Sequence, residues 1–392
     1  MSTSVDEHAE HIRSLISPAI ARSEPQSALL DDALGRVTAE PVHSPVDLPL
    51  FRNSQMDGFA VRAADLPGIL TIAGEVSARP SDPPPLEPGT AVRIMTGAVV
   101  PEGADAVVPV EDTSVDGDRV TIERTRSVGE FVRNRGSDVE QGDELLPAGL
   151  RLASRHLAVL AAAGLTRVSV RALVRVAVIT TGSELIEPGA TPALGQVFDS
   201  NGTALVAAVR AAGAVVSSRV HVGDDNAAML AALTDAAAHA DVILTSGGIS
   251  MGDYEVVRES LEPLGAVVGH VAMQPGGPQA TAVFDGVPVI CFPGNPVSTQ
   301  LSFEVFVAPL LREAAGLPAP LRETRAITTA TRSVPGKRQF LRGRADDEGY
   351  VSLVAGPSSH LVAGLAASTV LVVVPEDITE LAEGDDVEVW HL

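Results

Sequence analysis

Three short segments place glycine among hydroxyl, amide and acidic side chains directly after apolar runs. They are Thr181-Gly182-Ser183-Glu184, Ser246-Gly247-Gly248-Ile249-Ser250 and Pro293-Gly294-Asn295-Pro296-Val297-Ser298. Glycine lets a backbone come close to a ligand, and N–H groups at the start of a helix favour anions. Each segment alone reads equally well as a plain turn after a strand. Together, if their strands are neighbours in a parallel sheet, they line one sheet edge, where open α/β folds bind ligands, and a phosphate-bearing ligand is the expectation. Acids gather around the same segments: Glu184, the pair Asp224 and Asp225, then Asp253 and Glu255. Asp224 and Asp253 could simply cap helices. As a group they suggest Mg²⁺, because carboxylate oxygens suit a hard cation that bridges phosphates, and no two histidines have the spacing of a zinc site.

Two further runs are ambiguous by themselves. Asn53-Ser54-Gln55-Met56-Asp57-Gly58-Phe59-Ala60 sets an acid beside a glycine turn, and Ile94-Met95-Thr96-Gly97-Ala98 is either a strand end or an anion-binding turn. The overall balance restricts what these runs can serve. A formal charge of -22 argues against a nucleic-acid surface. Lys337 is the only lysine, so anion recognition is expected to fall to arginine, backbone N–H groups, helix N-termini or a bound cation. The single cysteine, Cys291, excludes an internal disulfide framework and fits a reducing compartment. The N-terminal stretch, with Asp6, Glu7 and Glu10, lacks the basic start and apolar run of a signal peptide, and no stretch is apolar for long enough to span a bilayer. A cytoplasmic protein without membrane segments is expected.

At 392 residues, several domains must position these groups. Val5, Ile12, Leu15 and Ile16 have helical spacing up to Ser17, with Pro18 as the stop. Residues 45–137 consist of short Val-rich runs such as Ile69–Ile72, Ala106–Val110 and Val120–Ile122, broken by Pro, Gly and Asp, and the spacing predicts a β-rich insertion with Pro83-Pro84-Pro85 in an exposed loop. From Leu173 onward, apolar strands at Val174–Thr180, Asp241–Thr245 and Val287–Phe292 alternate with Ala-rich helices, which is α/β architecture. One helix carries Ala204, Leu205, Ala208 and Val209 and stops at Gly213. After Pro318-Ala319-Pro320 the pattern returns to short strands, including Leu353–Ala355 and Val370–Val374.

The runs NSQMDGFAV, MTGA, PEGADAVVPVED, VRNRGSDVEQGD, TTGSEL, FDSNG, TSGGISMGDYE and FPGNPVS occur in this order over nearly the whole chain. The series resembles the molybdopterin molybdenumtransferases, called MoeA in bacteria and represented in animals by the C-terminal domain of gephyrin. The resemblance implies a multidomain α/β plus β protein. Its parts would be an elongated helical linker domain (1–44 and 138–172), a β-rich insertion (45–137), a molybdopterin-binding three-layer α/β domain (173–318) and a C-terminal β barrel (319–392). It further implies insertion of molybdate into molybdopterin-adenylate with release of AMP. The partners would be a second copy of the chain and, in passing, a molybdopterin adenylyltransferase. Asp57 and Thr96 would then face the α/β loops of the other copy.

By the same resemblance Asp57, Thr96, Glu184 and Asp224 would act on the adenylate, with Asp138 beside it. Gly182, Ser183, Ser246, Gly247, Gly248, Pro293, Gly294, Asn295, Pro296 and Ser298 would form the substrate pocket, and Arg342 and Ser359 would bind the oxyanion. Glu184, Asp224, Asp253 and Glu255 would hold Mg²⁺. Two departures stand out. Many relatives have Lys-Pro-Gly-Lys-Pro where this chain has Gln274-Pro275-Gly276-Gly277-Pro278, and Glu255 stands where aspartate is common. A molybdopterin-binding scaffold without efficient insertion, or an adenylyltransferase that makes the adenylate, are the alternative expectations, since one fold can host several functions.

Overall fold

The computed structural model describes residues 2–249 and 256–392. The chain forms two compact units, one made of Ser27–Val170 and the other of Met1–Gln26 with Arg171–Leu392.

The smaller unit is built on a six-stranded sheet, in the order Ala106–Pro109, Gly58–Val61, Thr90–Ile94, Gly68–Val76, Arg119–Ile122, Ser114–Asp116. Alternating side chains bury both faces. Ala60, Ile94 and Val107 pack on one side, and Phe59, Ala91 and Val108 on the other. A separate small core, including Ala33, Leu146, Leu160 and Val170, joins residues 28–33 to 146–170. Pro83, Pro84 and Pro85 lie in a strand-free, largely exposed segment, as their missing N–H groups require.

The larger unit opens with helix Val5–Ala21, whose start is a capping box. The Ser4 hydroxyl accepts from the Glu7 N–H at 3.2 Å, and the Glu7 carboxylate accepts from the Ser4 N–H at 2.9 Å. Pro18 lies inside this helix rather than ending it. Leu15 and Ile20 pack on the core of the larger unit, so tertiary burial carries the last turn past the missing donor. The same packing separates this helix from residues 138–170, with which the sequence expectation had grouped it.

The central sheet has the order Val215–Val222, Arg175–Thr181, Val242–Ser246, Val287–Phe292, Pro278–Phe284, Val267–His270. The first four strands run parallel and the last two join antiparallel. Helix Ser200–Ala211 ends at Ala212, and Gly213 follows at φ 84°, the left-handed geometry that stops a helix. Beyond it, strands Arg338–Ala345, Tyr350–Leu353, Arg322–Ile327, Asp386–His391 and Val370–Val374 pair in a ring, because the first also pairs with the last. The ring is a closed five-stranded barrel. Its second strand ends at Leu353, short of the expected Ala355, which sits at φ 57° where the chain turns away. Among the described residues no helix is long and apolar enough to cross a membrane.

Candidate active site

Strands Arg175–Thr181, Val242–Ser246 and Val287–Phe292 are adjacent and in register at their carboxyl ends, with Thr180 opposite Ser246 and Ser246 opposite Phe292. The three glycine loops therefore leave the same sheet edge, as their sequences predict. They open into a cleft of about 960 Å³ whose other wall comes from Met273–Pro278, Lys337 and Pro357–His360. Every lining residue belongs to the larger unit.

A buried hydrogen-bond chain sets the floor. The Asn201 amide donates to the Ser246 hydroxyl at 2.9 Å and to the Gly294 carbonyl at 2.7 Å, tying the second loop to the third. The Ser246 hydroxyl meets that of Thr299 at 3.0 Å, and Thr299 donates to the Pro293 carbonyl at 2.6 Å. Because the Asn201 nitrogen must face a carbonyl, its Oδ1 is oriented elsewhere, and this buried oxygen has no partner among the described residues. Asp199 anchors the helix behind the floor. Its carboxylate caps the Gly202 N–H at 2.8 Å and takes bonds from the Thr180 hydroxyl at 2.9 Å and Arg219 at 3.0 Å.

The two adjacent acids at the rim separate their roles. Asp225 caps helix Asn226–His239, accepting from Ala227 and Ala228. Asp224 instead clasps the first loop: its carboxylate accepts from the Ser183 N–H at 3.3 Å, and its own N–H donates to the Ser183 hydroxyl at 3.1 Å. Glu184 folds over Gly182, where an added Cβ would lie 2.6 Å from the carboxylate, and Gly182 itself is at φ 138°. Gly247, at φ 96°, approaches the Thr181 carbonyl so closely that a Cβ there would lie 2.7 Å from it. These two glycines are required by geometry. The backbone of Ser359 accepts from the Val297 N–H at 3.1 Å, which joins the barrel loop to the helix that begins at Pro296.

Glu184 and Asp224 are exposed on the cleft, so two carboxylates face it. Mg²⁺ is commonly held by one or two carboxylates together with substrate phosphates and water, and this pair fits that pattern. No group of three or more potential metal ligands occurs among the described residues. The other two expected ligands, Asp253 and Glu255, and Ser250 of the second loop, lie outside the described residues.

Asp57, Thr96 and Asp138 belong to the smaller unit and form no part of this cleft wall. The Asp57 carboxylate accepts from the Thr96 N–H at 2.6 Å and the Thr96 hydroxyl at 2.9 Å, which makes the two expected residues one group. These bonds, the backbone one first, hold the Asp57 carboxyl below the usual carboxylate range. Asp138 is exposed, and its N–H donates to the Leu48 carbonyl at 3.0 Å. Arg342 is not at the cleft surface. It is 2% exposed and donates to the carbonyls of Gly356 and Ser358, so it holds the loop that presents Ser359 instead of reaching the ligand space itself. Its Nε and Nη1 have no partner among the described residues.

Residues 3–164 match the MoeA N-terminal region (domain I and II), 177–313 a probable molybdopterin binding domain, and 325–392 the MoeA C-terminal region (domain IV). Molybdopterin molybdenumtransferase 2 of Mycobacterium tuberculosis is 42% identical, with 98% of each chain covered. The chain belongs to the MoeA family. Molybdopterin molybdenumtransferase 1 of the same organism is 34% identical over 98% of both chains. The crystal structure of a molybdopterin biosynthesis MoeA protein from Pyrococcus horikoshii superposes with a TM-score of 0.85 at 30% identity, covering 100% of this chain and 99% of that one. The likeness of this MoeA chain to its relatives thus extends through both units and the barrel, well beyond the α/β domain.

Sequence reasoning missed Asn201, although the run FDSNG contains it, because nothing in a sequence shows that one amide spans two distant loops. It also set aside Lys337. The structure corrects this, since the only lysine of the chain lines the cleft.

Proposed function

We propose that this MoeA chain inserts molybdate into molybdopterin presented as its adenylate, with cleavage of the P–O bond to AMP. It is an enzyme of molybdenum cofactor biosynthesis that transfers molybdenum. The observation that carries the adenylate reading is the cleft itself. Three glycine loops and a helix start face a space onto which the carboxylates of Glu184 and Asp224 are exposed.

In this reading the loops cradle the phosphates through backbone N–H groups, on a floor where the Asn201 amide ties the second loop to the third. Asp224 fixes the loop of Ser183, and Glu184 stands beside it on the same rim. When bound by Glu184 and Asp224, Mg²⁺ would neutralise phosphate charge that the acidic protein otherwise repels. Asp57, kept ionised by Thr96, orients the attacking oxygen or its proton. The protein works in the cytoplasm as a homodimer in which Asp57 and Thr96 of one copy serve the cleft of the other, and it receives the adenylate from an adenylyltransferase. What supports this arrangement is that Asp57 and Thr96 form one hydrogen-bonded group in the smaller unit, while the residues lining the cleft all belong to the larger.

One assay tests the whole reading. AMP release from molybdopterin-adenylate should depend on molybdate, stop on chelation and return with Mg²⁺. A mixture of Asp57→Asn and Glu184→Gln chains should regain activity that neither has alone. Release without molybdate, full activity in metal-free buffer, or no complementation despite subunit exchange each removes the corresponding part.

A further inference from the structure

We propose that Lys337, with the His270 imidazole beside it, is this chain's cationic grip on a tetrahedral oxyanion in the cleft. The proposal rests on the function proposed above and deepens it.

The chain has one lysine in 392 residues and a formal charge of -22, and that lysine lines the cleft. Among the described lining residues there is no arginine, while Glu184, Asp199 and Asp224 are there. An anion entering this space therefore meets one permanent positive side chain. Its neighbour Arg338 is already paired with Asp6 and Glu376, whereas Lys337 has no ion-pair partner among the described residues. Lys337 is half-buried.

The backbone sets its location. Strand Met273–Gln274 pairs in parallel with strand Arg338–Ala345, with Met273 opposite Arg338 and Gln274 opposite Gln339, and the Arg338 N–H donates to the Ala272 carbonyl at 2.9 Å. Lys337 is thus held beside the segment Gln274–Pro278, which carries no charged side chain. Gln274 supplies no charge there: its side-chain oxygen accepts from the Gln339 amide, and its remaining donor is a neutral amide. Gly277 carries no side chain, and the exposed His270 ring lies beside it, 2.5 Å from where a Cβ would sit. His270 also lines the cleft, and its pKa is lowered first by burial and then by the Lys337 charge, which places the two groups within electrostatic reach. Ser359 adds a hydroxyl from the barrel side, while that of Ser358 lies 2.9 Å from the His360 Nδ1.

The ligand class is a tetrahedral dianion able to accept several hydrogen bonds at once, either molybdate or the phosphate of a nucleotide or pterin. A charge-assisted bond lost from such a site weakens binding by about tenfold to a hundredfold.

Because the chain has a single lysine, acetylation with acetic anhydride, read by mass spectrometry, reports this ammonium apart from the N-terminus. The full chain would be acetylated alone, with molybdate, and with AMP. Slower acetylation of Lys337 with molybdate assigns the grip to molybdate, and slower acetylation with AMP alone assigns it to a phosphate. Equal rates in all three overturn the proposal. In calorimetry Lys337→Gln should weaken binding of the protecting anion by at least tenfold, Lys337→Arg should recover most of it, and His270→Ala should weaken it less. Unchanged affinity in Lys337→Gln also overturns it. None of these readouts needs turnover, so they remain decisive if the adenylate reaction fails. AMP release that persists in a Lys337→Gln chain with unchanged dependence on both molybdate and adenylate concentration would sink Lys337 and leave that reaction standing.

Discussion

Asp57 owes its acidity to Thr96, and the contribution is divisible. The backbone N–H bond is the larger cause and survives any change of side chain, while the hydroxyl bond is lost in Thr96→Ala. A carboxyl whose pKa is depressed stays ionised until the pH falls through that lowered value. Removing the hydroxyl should move the pKa back towards the ordinary carboxylate range, so the acid limb of the AMP-release profile should shift to higher pH. A Thr96→Ala profile that overlays the natural one would mean that Asp57 does not titrate in the limiting step. At this scale the sequence was informative where chemistry is carried by residue type within a loop. Gly182, Gly247 and Asp224 could be read directly. It was uninformative where one group acts across long separations. Arg342 is 14 residues from Gly356 and supports the serine loop from behind, and the pairing of His270 with Gly277 is a steric matter invisible in a string of letters.

The element that departs most from its sequence reading is the first helix, and its interior explains both the departure and a testable property. His8 is buried, packs edge-on against Phe306 with ring centroids 4.8 Å apart, and leaves its Nε2 without a partner among the described residues. Burial first, then the charge of His11, lowers its pKa to about 4. The unfolded chain binds this proton near the ordinary histidine value of about 6.5, so between these limits it holds more proton than the folded one. Stability contributed by neutral His8 is therefore present above about pH 6.5 and lost as the pH falls towards 4, by up to roughly 3 kcal/mol. His8→Leu should remove this slope. The urea midpoint of the natural chain should fall further than the variant's between pH 7.5 and pH 5, and identical slopes would show that His8 is not the group responsible. Helical periodicity identified the buried stripe of Val5, Ile12 and Ile16 correctly. Local proline rules ended it too soon because packing of Leu15 and Ile20 decides the final turn.

On the scale of the molecule, the sequence marked the change from β-rich to α/β texture but could not show which unit would take the first helix, since that depends on packing against residues more than 150 positions away. The family matches leave 165–176 between their first two segments, where the chain passes from one compact unit to the other. The units have separate hydrophobic cores, and the optical and chemical probes fall in only one of them. Trp390, both tyrosines and Cys291 all lie outside Ser27–Val170. Gly58 offers a way to perturb the other unit alone. A Cβ on Gly58 would lie 1.9 Å from the Val108 carbonyl oxygen, backbone of a paired strand that cannot move aside as a side chain could. Overpacking commonly costs about 1–3 kcal/mol, and a backbone clash of this kind belongs at or beyond the upper end. Gly58→Ala should therefore lower the first of two urea transitions seen by far-ultraviolet circular dichroism and leave the Trp390 fluorescence midpoint in place. Cys291, fully buried with its thiol pushed up to about 12, should stay unreactive to an aromatic disulfide until that second transition. If Trp390 fluorescence and Cys291 labelling shift with circular dichroism in Gly58→Ala, the chain unfolds as one cooperative body and the separate cores do not confer separate stability.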